Sequence, residues 1–409
     1  MKNYNQATLA NGIRIIHQQL AHSNIVHCGI FLGIGSRDET HHNQGIAHFW
    51  EHMAFKGTQK RSSLNILTEL DSVGGELNAY TDKEKIVFFS SVRLPYFEKA
   101  IDLLSDISFN STLPATELRK EKSVILEEMS MYEDNPDDSL QDEFEKIIFG
   151  DHPMGMNILG RKETVSAFKR NDFFSFFNNH LHSENIVFSC LGNVPFSVVE
   201  KMANKYLGKI KFKNRKIAQR TKPELLTRQI ELPKPVKQAK VALGGKAYSL
   251  HTPQRVPFFM LTNLLGGPGM NSRLNLSVRE KHGYVYAIDA HYIPYSDCGM
   301  FAIFFGTEPT QVKKCMKLVQ KELDKLIYKP MSNAELKSLK EQIKGQMALS
   351  EENNLNVMMM MGRSLLDYNR VPRLQEVFRK IDAVTPKQIQ ETAQETFAPN
   401  NLSKLILHP

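Results

Sequence analysis

From Ile13 onward, short apolar runs alternate with longer stretches whose apolar residues recur every three or four positions. Ile13 to Gln18, Ile25 to Phe31, Ile86 to Val92 and Ile186 to Leu191 predict strands, while residues 44–56, 63–73, 95–108, 115–133 and 194–206 predict helices. A second series follows, with a strand at Ala239 to Leu243, helices near 255–265, 271–282, 309–327, 332–350 and 374–396, and strands near 285–293 and 299–306. The pattern predicts a mixture of α and β in two halves of similar size and element order. Residue identity between the halves is weak, so a duplication rests on that order alone.

Composition narrows the class. The chain has 409 residues, 41% hydrophobic and 23% charged, enough for more than one buried core. The N-terminus enters a strand-like segment without the charged start and apolar stretch of a secretory signal, so a cytoplasmic location is expected. No apolar run approaches the roughly 20 residues that cross a bilayer, and Phe301 to Phe305 ends at Gly306, so no membrane association is expected. Cys28, Cys190, Cys298 and Cys315 lack paired spacing and read as reduced, buried thiols.

The formal net charge is +8, and part of the excess lies between Lys209 and Arg228. Aromatic residues do not interleave with those cations, which argues against nucleic acid and for a solvated connector. The expected division is a catalytic half at 1–215, a basic linker at 216–235 and a second half at 236–409.

Chemistry concentrates in His48-Phe49-Trp50-Glu51-His52. On a helix, Ile46, Phe49, Trp50 and Met53 form an apolar stripe, and His48, Glu51 and His52 gather opposite it. Histidines four apart can offer both imidazoles to one zinc ion, with the neighbouring glutamate in reach of a water. A third ligand is needed to leave a position open, and 115–133 supplies candidates. There Leu118, Ile125, Met129 and Tyr132 define the buried side, with Glu121 and Glu128 in or beside the stripe and Glu127 about 100° away from Glu128. Two carboxylates on an apolar face ask for a cation, so Glu128 is the expected ligand and Glu121 its supporting neighbour.

These residues resemble the pitrilysin/insulinase family of zinc metallopeptidases, whose inverted motif is His-x-x-Glu-His. The likeness is strongest to the short bacterial branch and to the β subunit of mitochondrial processing peptidase. It extends through Gly35-Ser36-Arg37-Asp38-Glu39, Gly45 to Thr58, Leu77-Asn78-Ala79-Tyr80-Thr81 and Glu121 to Met129. The resemblance implies one zinc ion per chain on His48, His52 and Glu128, Glu51 as general base and Glu121 beside the site. It implies an α+β fold of two related halves, each a mainly antiparallel sheet covered by helices on one face, closing as a clamshell.

Asn78-Ala79-Tyr80-Thr81 is similar to the family's substrate-binding edge strand, where an extended peptide adds as a further strand, and the resemblance makes Asn78, Ala79 and Tyr80 the expected substrate contacts. Arg279 and Tyr286, seven residues apart, match a family pair that approaches substrate from the second half, with Tyr284 as the competing tyrosine. Chains of the short branch associate as homodimers or with a related chain. The expected activity is a zinc endopeptidase acting on peptides or short unfolded polypeptides. The rival is a non-catalytic subunit of a processing-peptidase-like assembly, but such chains lose part of the metal set that this one retains. The methionines at 358–361, near Leu365, Leu366 and Tyr368, read as core.

Overall fold

A computed structural model describes residues 4–212 and 219–409, so Lys213, Arg215 and Lys216 of the basic run lie outside the described residues. The strands are β1 (Asn5–Thr8), β2 (Arg14–Gln19), β3 (Ile25–Leu32), β4 (Glu76–Thr81), β5 (Ile86–Arg93), β6 (Ile186–Gly192), β7 (Gln229–Pro233), β8 (Ala239–Ala247), β9 (Val285–Pro294), β10 (Gly299–Thr307) and β11 (Leu402–His408). The helices before β6 are α1 (Ile46–Ala54), α2 (Ser63–Asp71), α3 (Phe97–Phe109), α4 (Ala115–Asp134), α5 (Pro136–Phe149), α6 (Lys162–Ala167) and α7 (Arg170–His180). After it come α8 (Phe196–Tyr206), α9 (Arg255–Gly266), α10 (Val312–Tyr328), α11 (Asn333–Glu351), α12 (Asn354–Tyr368), α13 (Leu374–Asp382) and α14 (Pro386–Thr396).

Two sheets organise these elements, one ordered β1-β2-β6-β3-β5-β4 and the other β7-β11-β8-β10-β9. Omitting β1, the two follow one path with one set of pairing senses. The β2–β6 and β7–β11 pairs are parallel, and every later neighbour is antiparallel. The duplication that residue identity leaves faint is therefore explicit in topology, and the fold class is the expected α+β with two related sheet-and-helix parts.

Contacts divide the chain into two compact units whose segments interleave. The first contains residues up to Ser130, Met156 to Arg220 and Leu349 to Arg373; the second contains Met131 to Gly155, Thr221 to Ala348 and Leu374 to the end. Strand alternation explains the exchange. In the first unit Val26, Cys28, Ile30 and Leu32 of β3 pack with α1, α3, α7 and α8, while Phe31 points to the opposite face. That face, with Val87, Val187 and Leu191, is covered by Val357, Met358, Met361 and Leu365 of α12. Each such side chain contributes about 1.5–3 kcal/mol when fully buried; of the methionine run, Met358 and Met361 are in this core and Met359 and Met360 pack half-buried against it. Gly362 lets α12 lie that close, because a Cβ there would run into the Phe31 ring. In the second unit α5 does the matching work, packing Leu140, Phe144, Ile147 and Ile148 against Ala242, Ala302, Leu405 and Leu407.

Several expectations are corrected. Part of the stretch expected as linker, Gln229–Pro233, is β7, paired with β11. Arg220 is not simply solvated: its Nη2 lies 2.7 Å from Asp38 Oδ2. The helix expected at 374–396 is α13 and α14, because Thr385 caps α14 by accepting from Gln388 N and Pro386 occupies its first turn. The helix expected at 271–282 is present but shorter, and it is π-helical over Asn275–Glu280. Tyr132, expected on the buried side of α4, is 41% exposed. All four cysteines are buried, and none forms a disulfide among the described residues. No helix among the described residues is long and apolar enough to cross a membrane.

Candidate active site

The position of α1 is fixed from three sides. Gly45 starts it at φ 93°, a left-handed conformation that favours glycine. Just before it, the buried Glu39 carboxylate accepts from Gly45 N and Ala47 N, each at 2.8 Å, satisfying donors that helix geometry leaves unpaired. Along the apolar stripe, Phe49 meets Phe173 edge-on at 5.2 Å, and Trp50 packs against Phe177 at 3.9 Å and Phe88 at 5.2 Å. Ile46 and Met53 are fully buried. The opposite face is consequently held in one orientation.

That face meets α4. His48 Nε2 is 3.8 Å from Glu128 Oε1, and His52 Nε2 is 3.5 Å from Glu128 Oε2. The two imidazole centroids are 4.6 Å apart, and potential ligand atoms of the three residues all fall within 4.8 Å of one another. Tetrahedral donors about 2.0–2.1 Å from zinc sit about 3.3 Å apart, so this nitrogen and oxygen set fits the ion with small side-chain adjustment. His52 Nδ1 lies 2.9 Å from Glu121 Oε1, the separation of an N–H donated to a carboxylate, and this pairing assigns the lone pair to Nε2. Lys56 Nζ, 2.7 Å from Glu121 Oε2, balances that buried acid. Glu127 is exposed and turned away.

The surroundings move each ionisation. Burial, with His52 alongside, drives His48 down to about 3, keeping its imidazole neutral. For His52 burial acts downward, but the Glu121 hydrogen bond and neighbouring carboxylates outweigh it and raise the pKa. Burial raises Glu121, yet its bonds to His52 and Lys56 bring the net value below the ordinary range. Burial raises Glu128 despite the opposing influence of His52. It also raises Glu51, against the lowering effect of the Thr81 hydrogen bond and His52.

Beside α1 runs β4, the last strand of its sheet, paired on one side with β5. Its alternation turns Leu77 and Ala79 to the helix-covered core, and Tyr80 to the α12 side, where its hydroxyl accepts from Arg363 Nε at 2.9 Å. Asn78 is exposed. Thr81, which the sequence places at the end of the edge-strand segment without a role beside Glu51, donates its hydroxyl proton to Glu51 Oε2 at 2.5 Å. Its only sequence signal is its place at the end of the Leu77 to Thr81 segment.

In the second unit, Arg279 stands over the Tyr286 ring, with Cζ 5.9 Å from its centroid. Tyr286 is 88% exposed, whereas Tyr284 stacks on His282 at 5.2 Å and packs against the core. The repeated topology makes α9 the counterpart of α1, and α9 contains no His, Asp or Glu.

The insulinase (peptidase family M16) profile matches residues 14–162, and the M16 inactive-domain profile matches 167–343. A relative from Bacillus subtilis, the uncharacterized zinc protease YmxG, is 34% identical over 399 residues, spanning 98% of this chain and 97% of its own length. The chain belongs to the insulinase family. Another M16-like relative, an uncharacterized zinc protease of Rickettsia bellii, is 30% identical, with 98% of this chain and 99% of the relative aligned. The insulinase fold is also met in solved structures. A Helicobacter pylori protease matches at a TM-score of 0.94 and 22% identity, covering 100% of both chains. A Pseudomonas fluorescens protein described as a peptidase M16 inactive domain matches at 0.89 and 19%, covering 100% of this chain and 98% of that one.

Proposed function

We propose that this chain is a zinc-dependent endopeptidase, with His48, His52 and Glu128 holding one ion and Glu51 acting as general base. The observation that carries the reading is the convergence of those three donors beside a largely buried glutamate of raised pKa. Zinc, when bound, supplies Lewis acidity that makes water more acidic and a peptide carbonyl more electrophilic. Glu51 takes the proton of the attacking water on its carboxylate and delivers it to the leaving amine nitrogen. Glu121 keeps His52 oriented through Nδ1. The free edge of β4 at Asn78, Ala79 and Tyr80 receives the substrate in extended form, read mainly through its backbone. In the second unit Arg279 and Tyr286 are the candidate substrate contacts, and their mutual stacking with the exposure of Tyr286 favours that tyrosine over Tyr284.

The retained donor set favours catalysis over a purely structural subunit. Working chains pair with a second copy or a related chain, which solution mass measurement tests. The activity is tested on a panel of quenched peptides, with and without chelator, beside Glu51→Gln. Wild type is expected to cleave, to stop on chelation and to recover with zinc, and Glu51→Gln to remain inactive. Wild-type protein that binds zinc yet cleaves no peptide that Glu51→Gln spares contradicts the reading.

A further inference from the structure

A general base needs an oriented carboxylate as well as a suitable pKa, because misplacement by about 1 Å can cost on the order of 100-fold in rate. Glu51 sits on α1, but a glutamate side chain turns about three bonds beyond its helix. Among the described residues, the hydrogen bond recorded for its carboxylate comes from the Thr81 hydroxyl, at 2.5 Å. This bond engages Oε2 and leaves Oε1 for proton transfer.

Thr81 is itself fixed more firmly than an ordinary strand end. It pairs with Ile86 in the β4–β5 ladder. The following turn is closed by Asp82 N donating to Lys85 O at 2.8 Å. Asp82 Oδ1 accepts from Glu84 N at 2.7 Å and Lys85 N at 2.6 Å. Ser36 N and Arg37 N donate to the carbonyls of Asp82 and Lys83 at 3.2 and 2.8 Å. On the other face, the preceding residue, Tyr80, is held by Arg363. A β-branched side chain on such a backbone has little χ1 freedom, so the hydroxyl points in a defined direction.

We propose that Thr81 is a positioning residue for Glu51, fixing one carboxylate oxygen so that the other faces the reacting water, and that it links base orientation to the strand on which substrate docks. The inference rests on the endopeptidase reading. The link follows from chain order: Thr81 ends β4, directly after Asn78, Ala79 and Tyr80. One backbone segment therefore sets both the register of a docked peptide and the direction of the base.

Thr81→Val keeps the shape and removes the hydroxyl, whereas Thr81→Ser keeps the hydroxyl. Both are measured with wild type and Glu51→Gln on one quenched peptide, with zinc content and melting temperature recorded. Thr81→Val is expected to hold zinc and fold as wild type, to lose about 10–100-fold in kcat and to change KM little. Thr81→Ser restores most of the lost turnover. Crystal structures of the zinc-loaded variants supply a readout independent of turnover: Glu51 leaves its wild-type rotamer in Thr81→Val and keeps it in Thr81→Ser. Wild-type kcat in Thr81→Val, a loss that serine does not restore, or an unmoved Glu51 overturns the proposal. If wild type and Glu51→Gln turn over alike, the endopeptidase reading fails, and the rotamer comparison still decides whether Thr81 holds Glu51.

Discussion

At the scale of single residues, the candidate site is held by partners outside its donor set. Glu121 binds His52 Nδ1 at 2.9 Å, so Glu121→Ala removes the group that orients that imidazole while leaving His48, His52 and Glu128 in place. Zinc affinity is expected to fall about 10–100-fold, read by competition with a chelating dye. A second residue sets an acid limit. His17 is fully buried, stacks on Phe196 at 5.9 Å, and among the described residues neither ring nitrogen finds a hydrogen-bond partner. Burial lowers its pKa to about 4 from an ordinary 6.5. The unfolded chain therefore binds the proton first as pH falls, so this contribution is complete above pH 6.5 and lost towards pH 4. Relative to His17→Leu, wild type is expected to lose up to about 3 kcal/mol across that window, measured by denaturant unfolding. Much at this scale was legible, because a helical wheel separates Glu128 from the exposed Glu127. The contact of Thr81 with Glu51 was not, since a hydroxyl that reaches across from another element leaves no spacing behind. Glu39 was visible as part of a motif, but its role depends on a fold that brings it to the start of α1.

Among elements, α1 behaves as a lever held at its N-terminus and along its apolar stripe. Glu39→Ala leaves the Gly45 and Ala47 N–H groups without their buried acceptor. The expected cost is about 1–3 kcal/mol, seen as a lower melting temperature in zinc-free protein. Strongly periodic elements such as α1, α3, α4 and α10 were readable within a few residues. The expected elements do not include β11, although Leu405 and Leu407 are fully buried. Its Leu402–His408 sequence is short, lies at the end of the chain and is buried on both faces, so it lacks clean alternation. The break between α13 and α14 was signalled by Thr385-Pro386, which apolar periodicity across 374–396 conceals.

At the scale of the whole molecule, topology holds what residue identity has lost. The strand path recurs because many sequences satisfy one pattern of buried positions, so divergence erases identity before architecture. Which sheet a helix covers is a different kind of information. Nothing local in α5 or α12 states that each packs in the unit assembled mainly from the other half of the sequence, and the unit boundaries follow from that exchange. Gly362→Val tests it, because the new side chain would meet the buried Phe31 ring and push α12 from the first sheet. A loss of about 1–3 kcal/mol or more is expected in denaturant unfolding.

In the proposed mechanism, metal holding and proton handling fall to different residues on two helices. Zinc per chain, measured by elemental analysis of wild type, Glu51→Gln and Glu128→Ala after the same purification, tests that division directly. One zinc is expected in wild type and in Glu51→Gln, and clear loss in Glu128→Ala. Unchanged zinc in Glu128→Ala, or loss of zinc in Glu51→Gln, would contradict it.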